Sequence, residues 1–135
     1  MTHLLDTSAL LAHYLAEPGA ERVQQLFEDT AVQVATSVLS LYELELRLHQ
    51  LGVDPATRAV ELDRYRALLD EVLDVTEAVR GEAVRLRTSS TAHVAAMDVL
   101  IAATASLGNA TLVHRDPHFV AIPSSLLKQE VLPAK

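Results

Sequence analysis

The chain has 135 residues, of which half are apolar, and it carries a formal net charge of −7. This length suits one folded domain over residues 1–135, and the apolar fraction excludes a disordered chain. Because cysteine is absent, disulfides, thiolate metal sites and thiol nucleophiles are excluded. The acidic balance argues against a protein that holds nucleic acid through a broad basic surface.

The first residues lack the basic stretch and the long apolar run of a secretory signal. No apolar run elsewhere is long enough to span a bilayer. We therefore expect a cytoplasmic protein with no membrane segment.

The amino-terminal half alternates between strand and helix signals. The apolar run 2–5 predicts a buried strand, and Thr7 or Ser8 is a suitable N-cap for a helix over 9–15. Pro18-Gly19 ends that pattern. A one-sided apolar pattern then predicts a helix over 20–28, and a β-branched run predicts a strand over 32–35. A leucine stripe predicts a long helix over 38–51.

The carboxyl-terminal half continues this alternation. Helices are predicted over 56–70, 76–88 and 98–107, and strands over 72–75, 111–114 and, at the sheet edge, 126–132. The polar residues 88–91 are expected to form a loop near the functional site. Strands that alternate with helices indicate an α/β fold with a parallel sheet of about five strands, flanked by helices.

Four acidic residues stand where apolar segments give way to polar ones: Asp6, Glu43, Asp98 and Asp116. Asp6 and Asp116 each follow a predicted strand, so right-handed crossovers place both at the same edge of the sheet. A carboxylate in such a setting is costly to desolvate unless a cation compensates it. If the four converge, they form a site for a hard divalent cation.

Each of these acids also has a structural explanation. Asp6 begins a turn, Asp116 precedes a proline as an N-cap does, and Asp98 lies where it would interact with a helix dipole. Glu43 lies between two leucines of a helix, where pairing with Arg47 is the alternative to a role in a site.

Four segments resemble, in order, the motifs of PIN-domain nucleases as VapC-type toxins carry them. They are LLDTSALL at 4–11, SLYEL at 40–44, DVLIAATA at 98–105 and LVHRDPHF at 112–119. The resemblance covers nearly the whole chain. It implies a single PIN-like domain and a toxin that cleaves RNA with the help of a metal ion, in a homodimer that a cognate antitoxin silences.

The resemblance implies that the four acids are the catalytic residues. Asp6, Asp98 and Asp116 would bind Mg²⁺ or Mn²⁺, directly or through water. Glu43 would either bind the metal or orient the attacking water. Both roles agree with phosphodiester hydrolysis, which needs an activated water and a stabilised leaving oxygen.

Neighbours of these acids receive supporting roles. Thr7 and Ser8 would hold Asp6 or a substrate phosphate. Arg115 would contact an RNA phosphate or an antitoxin carboxylate, with a solvated arginine as the alternative. Many relatives carry a hydroxyl residue where this chain has His114, which we expect to be a surface histidine at a strand end, with contact to substrate as the alternative.

Two other functions are compatible with these motifs and charges. A PIN-fold protein that has lost catalysis and only binds RNA or protein would carry the same motifs. A receiver-like signalling domain also gathers acids and Mg²⁺ at a sheet edge. It needs an acidic pair near the first strand and a lysine after a late strand, whereas here one acid ends the first strand and Lys128 and Lys135 are the only lysines.

Overall fold

Five short strands form one parallel sheet in the computed structural model, which describes residues 1–135. The strands are β1 (His3–Leu5), β2 (Val34–Ser37), β3 (Glu71–Leu73), β4 (Thr111–His114) and β5 (Gln129–Val131). Their order in the sheet is β3-β2-β1-β4-β5, and every neighbouring pair is parallel. The predicted α/β fold with a five-stranded parallel sheet and an edge position for the last strand is therefore confirmed.

Six α-helices and one 3₁₀ helix connect the strands. The α-helices are α1 (Thr7–Tyr14), α2 (Ala20–Glu28), α3 (Val38–Gln50), α4 (Pro55–Leu68), α5 (Glu77–Ser89) and α6 (Ala96–Leu107), and the 3₁₀ helix is Pro117–Ala121. None of the helices is both long and apolar enough to cross a membrane.

Helices cover both faces of the sheet because successive strand residues point to opposite sides. Leu4 and Leu112 join the core under α5 and α6. Leu5 and Val113, one position further along the same two strands, join the core under α1 to α4. The central strands β1 and β4 are thus apolar on both faces, as parallel strands buried on both sides are.

Most predicted boundaries differ from the structure by one or more residues, and three of these differences bear on the site or on segments next to it. Strand β2 begins at Val34 and continues through Ser37, because all four of its residues are buried and Thr36 donates from Oγ1 to the Leu5 carbonyl. Helix α6 begins at Ala96, so Asp98 lies in its first turn and does not open it. Half of the predicted loop 88–91 belongs to the last turn of α5.

The polar segment 88–91 also does not contact the four acids. Thr88 donates from Oγ1 to the Val84 carbonyl within its own helix. Ser90 donates to the Leu86 carbonyl, and Thr91 bonds to the Ala121 carbonyl. These hydroxyl groups satisfy nearby backbone oxygens, and only Thr88 and Ser89 belong to α5.

Candidate functional site

Asp6 lies at the carboxyl end of the central strand β1 and caps the helix that follows. Its Oδ1 accepts hydrogen bonds from the Ala9 amide at 2.9 Å and from the Ser8 hydroxyl at 2.7 Å. The residue is only 3% exposed. The expected N-cap at Thr7 or Ser8 was wrong, because the strand ends at Leu5 and leaves Asp6 in the extended cap conformation. Both hydrogen bonds use Oδ1, so Oδ2 is free to bind another group.

Asp116 lies past the end of the neighbouring strand β4, at the same edge of the sheet. It caps the 3₁₀ helix, since its Oδ1 accepts from the His118 amide at 2.9 Å. The loop is tied to the first motif, because the Arg115 amide donates to Ser8 Oγ at 2.8 Å. Asp6 and Asp116 thus follow the carboxyl ends of the adjacent strands β1 and β4, as the topology predicted.

Glu43 and Asp98 approach this edge from two helices. Glu43 projects from the second turn of α3, where it is partly buried and accepts a hydrogen bond from Thr7 Oγ1. It does not pair with Arg47. Asp98 lies in the first turn of α6 and is also partly buried. Helix α6 leads into β4, so its amino end lies at the carboxyl edge of the parallel sheet.

The other acids of the site lie close enough to Asp6 and Asp98 to influence the pKa values of these two carboxylates. Burial raises the pKa of Asp6 to about 7, the nearby Asp116 and Asp98 add to this effect, and the hydrogen bonds from Ser8 and Ala9 oppose it. Burial likewise raises the pKa of Asp98, with further contributions from Asp116 and Glu43. Like charges that share a site resist joint ionisation.

No lysine or arginine compensates this negative charge. Only Asp116 has an ion-pair partner, the exposed His118, whose Nδ1 lies 3.1 Å from Oδ1. The donor set consists of carboxylate oxygens, which suits Mg²⁺ or Mn²⁺ and not a soft metal. Ser40, buried one helical turn before Glu43, also has a hydroxyl without a partner.

The carboxylate oxygens of the four acids do not form a coordination shell in this conformation. No group of three or more Asp, Glu or His side chains stands in a metal-holding arrangement. Two hydrogen bonds hold Asp6, so the side chains of Glu43, Asp98 and Asp116 would have to move to bring their oxygens toward Asp6 Oδ2. The uncompensated charge and the free Asp6 Oδ2 are therefore the features that fit a divalent ion.

His114 is fully buried, so the expected surface histidine was wrong. Its Nδ1 accepts from the Asp116 amide at 3.1 Å, and its Nε2 lies 2.8 Å from Gln129 Oε1. Because Nδ1 accepts, the ring hydrogen is assigned to Nε2 and donates to Gln129. Gln129 donates in turn to the Phe119 carbonyl. His114 therefore braces the loop that carries Asp116, and Gln129 is a supporting residue that sequence reasoning missed.

Arg115 does not point its guanidinium toward the acids and is not a freely solvated side chain. Its Nη2 lies 2.8 Å from Glu17 Oε1, and both side chains are largely buried. Its Nη1 donates to the Pro18 carbonyl. Glu17 was also missed, because its partner lies 98 residues further along the chain.

A family model described as the PIN domain matches residues 3–124 of the chain. This chain belongs to the PIN-domain family. The matched region contains all four acids together with the strands and helices that position them. No curated protein sequence matches the chain significantly.

Solved structures share this PIN fold over nearly the whole chain. One is a chain of VapBC2 from Rickettsia felis bound to a promoter DNA fragment, with 24% identity, a TM-score of 0.78, and coverage of 98% of this chain and 100% of that one. Another belongs to FitAcB from Neisseria gonorrhoeae, with 25% identity, a TM-score of 0.72, and coverage of 96% and 97%. A third is VapC20 of Mycobacterium tuberculosis, a toxin that cleaves the sarcin-ricin loop, with 19% identity, a TM-score of 0.68, and coverage of 89% and 94%.

Proposed function

We propose that this PIN domain is a metal-dependent endoribonuclease and the toxin of a toxin–antitoxin pair. The observation that carries the proposal is the buried Asp6 carboxylate, which has no cationic partner and lies beside Asp98 and Asp116. A folded protein retains such a group at a cost unless a cation binds there. The likeness to a solved toxin that cleaves RNA supports the choice of substrate.

The four acids divide the work of hydrolysis. Asp6, Asp98 and Asp116 would hold Mg²⁺ or Mn²⁺, directly or through water. A bound divalent ion supplies a water that is activated at neutral pH and stabilises negative charge on the leaving oxygen. Glu43, fixed by the Thr7 hydroxyl, orients the attacking water or completes the ligand set.

The charge of the protein fits an RNA substrate only with metal bound. The net charge of −7 repels a phosphate chain, whereas divalent ions at the acidic edge would offset the local negative charge where the scissile phosphate must lie. Solved relatives occur as VapBC and FitAcB complexes. We infer that this chain likewise binds a cognate antitoxin and that the active form is a homodimer.

The first test compares RNA cleavage by the purified protein and by its Asp6→Asn and Asp98→Asn variants, with Mg²⁺ present. The Asn side chain preserves the shape of Asp and, at position 6, an oxygen that can still cap α1. We expect each variant to lose at least about 100-fold in cleavage rate. Loss of a residue outside the ligand shell costs up to about 100-fold, and loss of a direct ligand should cost no less. The chelator EDTA should abolish cleavage by the parent protein.

The matched control is Asp63→Asn, which neutralises an exposed acid that pairs only with Arg66 on α4. It should cleave RNA like the parent. Unchanged cleavage in the Asp6 and Asp98 variants, or activity that survives EDTA, would refute the proposed site. A parent protein that binds RNA without cleaving it at any Mg²⁺ or Mn²⁺ concentration would instead identify a catalytically silent PIN module.

A further inference from the structure

An ion pair ties the loop before Asp116 to the turn between α1 and α2. Arg115 Nη2 lies 2.8 Å from Glu17 Oε1, with 13% and 15% of the two side chains exposed. The same guanidinium donates from Nη1 to the Pro18 carbonyl at 3.3 Å. Lys135 Nζ lies 2.8 Å from the other Glu17 oxygen. A pair this sheltered is held more firmly than an exposed surface pair, because water screens it less.

The backbone of Arg115 continues this connection toward the acidic site. Its amide donates to Ser8 Oγ at 2.8 Å, and Ser8 Oγ lies 2.7 Å from Asp6 Oδ1. A serine hydroxyl carries one hydrogen. An ionised carboxylate can only accept, so that hydrogen is directed at Asp6 while the oxygen accepts from the Arg115 amide. The amide therefore fixes Ser8 as a donor to Asp6.

This arrangement decides which Asp6 oxygen is available. The Ser8 hydroxyl and the Ala9 amide both donate to Oδ1. Oδ2 is left for a metal ion, and the carboxylate cannot rotate without losing two hydrogen bonds. The orientation of Asp6 thus depends on the position of the Arg115 amide.

We propose that Glu17 is a positioning residue for the acidic site, because it holds Arg115 where the Arg115 amide orients Ser8 and Ser8 orients Asp6. The inference rests on the proposed function and extends it to a residue outside the motifs. Glu17 pairs with Arg115 and Lys135 and with none of the four acids. Its effect reaches the site only through the Arg115 backbone and the Ser8 hydroxyl.

The test measures Mg²⁺ affinity by titration calorimetry in Glu17→Ala, Ser8→Ala and the double variant. We expect each single variant to weaken Mg²⁺ binding about tenfold, as loss of a partner outside the ligand shell does. The double variant should bind Mg²⁺ no more than about twofold more weakly than Ser8→Ala, since residues in one chain of contacts are not additive. Glu17→Gln, which keeps an oxygen that can accept from Arg115, should recover part of the affinity.

The ion pair between Arg22 and Glu130 provides a matched control. Its Nε–Oε2 distance is also 2.8 Å, and it joins α2 to β5 without contacting Ser8, Arg115 or any of the four acids. Glu130→Ala should leave Mg²⁺ affinity unchanged. Urea titrations of Glu17→Ala and Glu130→Ala check that both variants are folded at the assay temperature.

The outcomes separate this inference from the proposed function. A parent protein that binds no Mg²⁺ would overturn both. If the parent binds Mg²⁺ and Glu17→Ala binds it equally well, only the positioning role fails. The role also fails if Glu17→Ala keeps its full tenfold effect in the Ser8→Ala background, or if Glu130→Ala weakens binding as much.

Discussion

At the scale of single residues, the acids of the site have a structural role and a proposed functional one at the same time. Asp6 and Asp116 are both helix caps, and each caps through its Oδ1. A carboxylate has a second oxygen, so a cap can also offer a ligand. Capping and metal binding are therefore compatible explanations of an acid at a strand end.

The buried charge of Asp6 should cost stability when no metal is bound. The folded-state pKa is about 7, well above the unfolded value of about 3.9. The stabilising contribution of the group is therefore fully present below pH 4 and lost as the pH rises through 7. Without metal, Asp6→Asn should exceed the parent by about 2–4 kcal/mol in free energy of unfolding at pH 8. The difference should shrink toward zero near pH 4.

Urea titrations in EDTA at the two pH values measure this difference. Asp63→Asn serves as the control, because that side chain is 77% exposed and should change stability little at either pH. A parent that is as stable as Asp6→Asn at pH 8 would show that the protein compensates the charge without a metal. Added Mg²⁺ should raise the melting temperature of the parent and not that of Asp6→Asn.

At the scale of elements, one histidine joins three helices on one face of the sheet. His13 of α1 lies with Nδ1 2.7 Å from the Tyr65 hydroxyl on α4, and with Nε2 2.7 Å from Gln24 Oε1 on α2. Tyr65 is fully buried. The sequence pattern marks these positions as parts of amphipathic helices. The polar contact itself depends on how three separate helices meet.

Tyr65→Phe should destabilise the protein by about 1–2 kcal/mol, because it leaves the partly buried His13 Nδ1 without a partner. Tyr14→Phe is the matched control, since Tyr14 is only partly buried and its hydroxyl has no partner within the protein. Differential scanning calorimetry of both variants makes the comparison. Equal melting temperatures for the two would mean that the Tyr65 hydroxyl contributes nothing.

At the scale of the whole molecule, local patterns predicted the elements but not the long-range contacts. The strand and helix order, the parallel sheet and the shared edge for Asp6 and Asp116 follow from periodicity and chain crossing rules. The burial of His114 does not follow from such local patterns, because its ring is hydrogen-bonded to Gln129 on the distant strand β5. The pairing of Arg115 with Glu17 joins segments 98 residues apart. No pattern within one segment contains such partners.

The far end of the chain closes over the turn between α1 and α2. Gly19 there has a φ of +100°, and a Cβ at this position would lie 3.0 Å from the Cβ of Leu132. Leu132 is held in turn by its amide, which donates to the His114 carbonyl at 2.7 Å. An alanine would therefore meet both an unfavourable backbone conformation and a side chain that cannot move freely.

We expect opposite effects from two glycine substitutions. Gly19→Ala should lower the free energy of unfolding by about 2–3 kcal/mol, since the left-handed conformation alone costs an L-residue about 1–2 kcal/mol. Gly81→Ala, inside α5 with nothing within 4 Å of the added Cβ, should raise it by about 0.5–1 kcal/mol. Urea denaturation of both variants tests the pair.

If Gly19→Ala were as stable as Gly81→Ala, the end of the chain would not be packed against this turn. Glu17, two residues before Gly19 in the same turn, would then lack the fixed setting on which its hold on Arg115 depends.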